Sequence, residues 1–91
     1  MAGGRKKSIR VGIADDHSLF LKGMATMLNR MSGIKVVVEA THGKDLLKQM
    51  GSKPEVILMD LKMPEMDGFE ATVQVKKLYP EVKILALTMY D

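Results

Sequence analysis

Four short apolar runs alternate with segments of helical periodicity along the 91-residue chain, and this alternation strongly constrains its fold. The runs are rich in Val, Ile and Leu, as expected for strands buried on both faces of a sheet. They cover residues 8–14, 35–40, 56–59 and 82–87. Strands that alternate with helices favour a parallel sheet with right-handed crossovers and helices on both faces. The sequence therefore predicts an α/β fold, a doubly wound parallel sheet.

The three segments between these strands carry apolar residues at helical spacing. Ser18 is the predicted N-cap of the first helix, whose apolar stripe comprises Phe20, Met24, Met27, Leu28 and Met31. The second helix covers residues 44–50 and the third covers residues 69–79, with Phe69 and Val73 on its apolar face. Nine methionines are many for this length, and we expect them to fill the core.

The composition indicates a globular protein. Hydrophobic residues make up 46% of the chain and charged residues 27%, and no apolar run approaches the ~20 residues of a membrane span. The absence of cysteine excludes a disulfide framework and a thiolate metal site. The basic tail at residues 1–7 has no apolar segment typical of a secretory signal, so we expect a cytoplasmic protein without membrane contact.

Polar side chains follow three of the predicted strands. Asp15 and Asp16 follow the first strand, Asp60 follows the third, and Thr88 follows the fourth. The carboxyl ends of parallel strands meet at one edge of the sheet, where ligands bind in open α/β folds. Three crowded carboxylates repel one another unless a cation lies between them, and oxygen ligands favour Mg²⁺. An aspartate beside Mg²⁺, with a hydroxyl nearby, can accept a phosphoryl group.

Taken singly, each of these residues also has a structural interpretation. The Asp15–Asp16 pair could cap a helix, Asp60 could cap a turn, and Thr88 could be an ordinary strand-end hydroxyl. Asp60 need not be buried, because it can lie where a buried strand ends at the mouth of a crevice. Gly68 is expected to supply a positive φ in the turn after the third strand.

The two histidines, His17 and His42, are not spaced as a pair of metal ligands, and the chain has no cysteine thiolate to complete such a site. We therefore predict that neither is a metal ligand.

Three motifs in this order resemble the receiver domain of two-component response regulators: IADD at residues 13–16, LMDLKMPEMDG at 58–68 and ALT at 86–88. The resemblance covers about residues 9–90. It implies a flavodoxin-like sheet with strand order 2-1-3-4-5. The segment IADDHSLFLKGM further resembles receivers that are attached to a helix-turn-helix DNA-binding output domain.

The resemblance also implies roles for individual residues. Asp60 would be the phosphoacceptor and Thr88 the switch hydroxyl that turns toward the phosphoryl group. Mg²⁺ would be held by Asp60, by Asp16 directly, by Asp15 through water and by the backbone carbonyl of Lys62.

Residues around the acceptor would have further roles in such a receiver. Pro64 and Gly68 would shape the loop, and the variable positions Lys62 and Tyr90 would tune hydrolysis of the acyl phosphate. The implied partner is a sensor histidine kinase, and DNA would be contacted only through an output domain outside this chain.

A receiver domain normally continues through a fourth helix, a fifth strand and a fifth helix, which carry a phosphate-pairing lysine and a switch aromatic. Neither residue can be assigned here, so residues 8–91 are expected to form an incomplete receiver domain. If the polypeptide ends at Asp91, the fourth strand would be an open sheet edge, and we expect self-association, strand exchange or aggregation. The alternative is that these 91 residues are part of a longer chain or a truncation of one.

Two other functions fit part of the pattern. Phosphotransferases of the haloacid dehalogenase type also use an aspartate nucleophile with Mg²⁺, but they carry a second aspartate where this chain has Lys62. An interaction-only pseudo-receiver is the other alternative. The complete set of three aspartates and Thr88 disfavours it, while the missing lysine favours it.

Overall fold

A computed structural model describes residues 8–63 and 66–87. It contains four strands, β1 (Ile9–Ala14), β2 (Ile34–Ala40), β3 (Val56–Asp60) and β4 (Lys83–Leu87), and three helices, α1 (Ser18–Asn29), α2 (Gly43–Gln49) and α3 (Gly68–Leu78). A 3-10 turn at Met50–Ser52 follows α2. The roles predicted for Pro64, Thr88 and Tyr90 fall outside the described residues.

The strands form one parallel sheet in the order β2-β1-β3-β4. This order confirms the doubly wound topology and the first four positions of the flavodoxin-like order. The sequence order reverses direction between β1 and β3, which is where α/β folds of this kind form their binding crevice.

The larger part of the core lies between the sheet and the two helices α2 and α3. Its fully buried members include Leu46 from α2, Ile57 and Met59 from β3, and Val75 from α3. These apolar side chains hold the amino ends of α2 and α3 close to the carboxyl edge of the sheet.

The opposite face of the sheet is covered by α1. Val11 and Ile13 of β1 pack there against Leu21 and Ala25 of the helix. This layer does not extend over β4 in the described part of the chain, and Leu85 remains 55% exposed.

The buried faces of two helices differ from the prediction. In α3 the buried residues are Gly68, Ala71 and Val75, whereas Phe69 and Val73 are 65% and 64% exposed. Small side chains allow the helix to lie close to the sheet, and this close packing turns the larger apolar residues toward solvent. Periodicity alone identified a helix but not the face that it buries.

The stripe predicted for α1 is confirmed only in part: Met24 and Leu28 pack against the core, but the fully buried residues of the helix are Leu21 and Ala25. Met27 and Met31 are 57% and 51% exposed. The prediction that methionines fill the core is therefore wrong for these two, while Met59 is completely buried.

Helix caps also differ in detail from the sequence analysis. The N-cap residue of α1 is His17, and Ser18 is the first residue within the helix. His42 caps α2, since its Nδ1 accepts the backbone N–H of Asp45 at 3.1 Å. Asp67 caps α3 by accepting the N–H of Glu70 at 2.9 Å.

The conformation predicted for Gly68 is wrong. Among the described glycines the positive φ belongs to Gly33, at 86°. Gly68 is required for a different reason: a Cβ there would overlap the carbonyl oxygen of Asp60 and lie 2.6 Å from the Cα of Leu61. The residue lets the first turn of α3 touch the end of β3, where its N–H donates to the carbonyl of Leu61 at 3.2 Å.

Candidate functional site

Strand pairing places Asp15 and Asp60 side by side. Ala14 of β1 is paired with Met59 of β3. Each is followed by an aspartate, so Asp15 and Asp60 are neighbours at the end of the two strands. The backbone N–H of Asp15 donates to the carbonyl of Ala40 at 2.9 Å, which continues the β1–β2 pairing by one residue. The position of the two carboxylates is therefore set by the backbone of the sheet.

Four potential metal ligands gather at this edge. One side-chain atom from each of Asp15, Asp16, His17 and Asp60 lies within 4.8 Å of the corresponding atoms of the other three. The structure thus brings together the three carboxylates that the strand ends predicted. Thr88, the fourth predicted member, follows β4 in the sequence but lies outside the described residues.

Asp60 is more deeply buried than the sequence analysis expected. Its exposed fraction is 3%, and that of Asp15 is 0%. The sequence left open an exposed position for Asp60 at the mouth of a crevice, and the structure shows the residue buried at the end of β3.

Each buried carboxylate has one oxygen bonded and one oxygen without a partner. Asp60 Oδ1 accepts the N–H of Lys62 at 3.0 Å, and Asp15 Oδ1 accepts the N–H of His17 at 2.8 Å. The Oδ2 atoms of both residues are buried and have no hydrogen-bond partner in the described part of the chain. Buried polar atoms are normally paired, so these two oxygens point to a group that the protein binds. Their chemistry, hard oxygen donors on neighbouring carboxylates, fits a divalent cation such as Mg²⁺.

His17 lies in the cluster although the sequence analysis set it aside. Its Nδ1 is 3.0 Å from Asp15 Oδ1 and 3.3 Å from Asp16 Oδ1. The missed signal was its position directly after an aspartate pair at the carboxyl end of a strand. His42, by contrast, lies outside the cluster and caps α2.

The electrostatics of the cluster follow from this crowding. Burial raises the pKa of Asp60; the Lys62 N–H opposes the rise, and the charges of Asp15 and Asp16 add to it. The hydrogen bond to Asp15 and the charge of Asp16 raise the pKa of His17. The pKa shift of Asp60 thus comes mainly from burial, whereas that of His17 comes from the neighbouring carboxylates.

The loop after β3 is held by backbone contacts to both neighbouring helices. The N–H of Gly43 donates to the carbonyl of Met66 at 3.2 Å, and a Cβ at Gly43 would lie 2.7 Å from the Cβ of Met66. Backbone hydrogen bonds thus link the amino end of α2 to Met66 and that of α3 to Leu61. None of the helices in the described part of the chain is both long and apolar enough to cross a membrane.

Comparison with known proteins agrees with this geometry. The family model of the response regulator receiver domain matches residues 11–91. The response regulator protein VraR of Staphylococcus aureus is 44% identical over 84 residues, covering 91% of this chain and 40% of VraR. The chain therefore spans less than half the length of this curated relative.

Solved structures show the same fold. The response regulator domain of Thermotoga maritima CheB has a TM-score of 0.84 at 28% identity, over 90% of this chain and 61% of that one. RcsB of Salmonella enterica serovar Typhimurium, solved on a promoter in the presence of the phosphomimetic BeF₃⁻, has a TM-score of 0.81 at 30% identity, over 91% and 43%. On the family match, the strand order and these likenesses, the chain belongs to the response regulator receiver domain family of two-component signalling proteins.

Proposed function

We propose that Asp60 accepts a phosphoryl group from a sensor histidine kinase and that the chain acts as a phosphorylation-controlled switch. The observation that carries this proposal is a pair of buried oxygens, on Asp15 and Asp60 at the carboxyl edge of the sheet, that have no partner among residues 8–63 and 66–87. A folded protein tolerates buried oxygens without hydrogen-bond partners where a bound ligand or ion supplies the missing interaction.

Asp15, Asp16 and Asp60 would hold Mg²⁺, with the backbone carbonyl of Lys62 as a further oxygen donor. The bound cation supplies positive charge that offsets the repulsion between these carboxylates and an incoming phosphoryl anion. The cluster fits this ion because it offers carboxylate oxygens from three residues, two of them shielded from solvent.

The hydrogen bonding of Asp60 is compatible with this transfer. The Lys62 N–H donates to Oδ1, and Oδ2 has no partner in the described part of the chain, so the carboxylate keeps an oxygen that could attack phosphorus. As its lone pair forms the O–P bond, the P–N bond of the donor phosphohistidine breaks. The bonding electrons return to the donor imidazole, and the product is an aspartyl phosphate.

The aspartyl phosphate would alter the molecule through its charge. The phosphoryl group carries about −1.5 to −2 charge in place of the single negative charge of the Asp60 carboxylate, and it brings new acceptor oxygens beside β1 and β3. Thr88, which follows β4 in the sequence, is the proposed hydroxyl that binds one of these oxygens. The similarity to RcsB, solved on a promoter with BeF₃⁻, supports transcription as the controlled output.

The test is covalent modification. With acetyl phosphate and Mg²⁺, the intact mass of the chain should increase by one phosphoryl group, and Asp60→Asn should abolish the increase. Asp67→Asn is the matched control, because Asp67 is a nearby exposed aspartate whose capping role an asparagine can keep.

The same experiment separates the switch from its alternatives. A single modification that is lost only in Asp60→Asn supports the switch. Continuous turnover of phosphodonor would instead favour a phosphatase or phosphotransferase. Absence of modification in the wild-type chain would leave an interaction module and would refute the proposal.

A further inference from the structure

The imidazole of His17 lies within hydrogen-bond or ion-pair distance of two carboxylates, and the three side chains belong to one group of possible metal ligands. Its Nδ1 lies 3.0 Å from Asp15 Oδ1 and 3.3 Å from Asp16 Oδ1. Donor atoms bound at about 2.0–2.2 Å to one ion are separated by roughly 2.9–3.5 Å in octahedral or tetrahedral geometry. Both distances fall in this interval, so an ion bound between these atoms would replace the hydrogen bond that now joins His17 Nδ1 to Asp15 Oδ1.

The short connection to Asp15 keeps the imidazole at this edge. The backbone N–H of His17 donates to Asp15 Oδ1 at 2.8 Å, and the residue is the N-cap position of α1. The side chain is 62% exposed, so it can also turn away from the carboxylates. The backbone of His17 is therefore fixed, whereas its imidazole can rotate toward or away from the carboxylates.

A second, independent observation indicates that the cluster binds a cation. Asp15 and Asp60 are 0% and 3% exposed, and both keep an Oδ2 atom that has no partner among the described residues. These oxygens belong to the same group of side chains as His17.

A nitrogen donor changes which ion such a cluster prefers. Mg²⁺ prefers oxygen ligands and retains much of its water, whereas imidazole suits Zn²⁺, Ni²⁺ and Cu²⁺. For a given set of nitrogen and oxygen ligands, affinity generally rises from Mn²⁺ toward Cu²⁺ and remains high for Zn²⁺. Three carboxylates alone are suited to Mg²⁺, but three carboxylates with one imidazole also suit a transition-metal ion.

We propose that His17 makes this cluster a binding site for a divalent transition ion of the Zn²⁺ type, in competition with Mg²⁺. The inference rests on the proposed function, because it assigns Asp15, Asp16 and Asp60 to both ions. An ion held by His17 and the carboxylates would occupy the oxygens that Mg²⁺ needs, so the two ions would compete for the same cluster.

The test measures binding of each ion directly, by calorimetric titration of the folded chain with ZnCl₂ and, separately, with MgCl₂. His17→Ala should weaken Zn²⁺ binding at least tenfold and change Mg²⁺ binding less than threefold. The folded state of each variant is verified by far-UV circular dichroism. Addition of Co²⁺ supplies a spectroscopic measurement, since its visible absorption should lose the contribution of a nitrogen ligand in His17→Ala.

The matched control is His42→Asn, which removes the chain's other imidazole and retains a side chain able to cap α2. It should bind Zn²⁺ like the wild type. Equal Zn²⁺ affinity in His17→Ala and wild type would overturn the inference. So would a loss of Zn²⁺ binding that occurs in His42→Asn and not in His17→Ala.

The two proposals fail in different ways. If His17→Ala retains full Zn²⁺ affinity while Mg²⁺-dependent modification of Asp60 is intact, the role of His17 is refuted and the switch stands. If the wild type binds Zn²⁺ through His17 but Asp60 is never modified, the switch is refuted and the metal site stands.

Discussion

A buried carboxylate with an unpaired oxygen opposes folding, and Asp60 is such a residue. Burial and the neighbouring carboxylates raise its pKa in the folded state. The unfolded chain has an ordinary aspartate, so the folded state binds the proton more tightly. Ionisation of Asp60 therefore costs stability. This cost is absent below the unfolded-state pKa and is complete once the pH exceeds the raised folded-state pKa.

Asp60→Asn should consequently raise the free energy of unfolding at pH 7, and the gain should shrink as the pH falls through the pKa of Asp60. Urea denaturation at several pH values measures this difference. Asp67→Asn serves as the control for removing a negative charge at an exposed position. A gain for Asp60→Asn that is constant across the pH range would contradict the assigned cause.

Mg²⁺ should stabilise the wild-type chain through the same carboxylates. A ligand that binds only the folded state contributes about 2.7 kcal/mol when its concentration is 100 times its dissociation constant. In Asp60→Asn the same Mg²⁺ concentration should stabilise clearly less, because one charged ligand is missing. Thermal melts with and without Mg²⁺ provide the measurement, and an equal shift in both proteins would argue against Asp60 as a ligand.

At the scale of the elements, contact between α3 and β3 sets the depth of the site. Gly68 allows this contact because any Cβ would overlap the backbone of Asp60. Forced overpacking of this kind typically costs about 1–3 kcal/mol, and here the backbone itself must move.

Gly68→Ala should therefore lower the free energy of unfolding by about 1–3 kcal/mol and reduce modification of Asp60. Gly23→Ala is the control: Gly23 lies within α1, and apart from the adjacent backbone of that helix no described atom lies within 4 Å of an added Cβ. There alanine should stabilise by up to about 1 kcal/mol through its higher helix propensity. Urea denaturation of both variants tests the contrast, and equal stability of the two would disprove the packing argument.

At the scale of the whole molecule, the face of β4 opposite α2 and α3 is open in the described structure. Leu85 is 55% exposed there, next to the partly buried Leu58 of β3. An apolar face beside a strand that is paired on one side favours association with a second copy of the same chain. The sequence-based expectation of self-association remains a prediction.

Leu85→Lys should weaken self-association of the 91-residue chain at least tenfold, because a lysine on an edge strand opposes pairing. Sedimentation velocity over a range of concentrations measures this. Leu19→Lys is the control, since it introduces the same charge at an 85% exposed position on α1. A wild-type chain that stays monomeric at all concentrations would contradict the prediction.

The existence and order of the elements could be predicted from sequence, as the four strands show: each observed strand lies within two residues of its predicted bounds. Local patterns are sufficient for this because strand and helix periodicities differ. The carboxylates of Asp15, Asp16 and Asp60 could also be predicted to meet, since parallel strands end at one edge. The buried face of α3 could not be predicted, because a hydrophobicity pattern favours burial of the largest apolar residue. In the structure Ala71 and Val75 are buried and Phe69 is exposed.

The sequence by itself determined the α/β architecture, the edge at which polar residues collect and the family to which the motifs point. Only the tertiary structure decided that Asp60 is buried, that Gly68 serves close packing rather than a positive φ, and that His17 lies beside the carboxylates. The physical reason is that periodicity and strand order depend on local chemistry. Burial, the space available for a Cβ and the distances between side chains depend on how separate elements pack together.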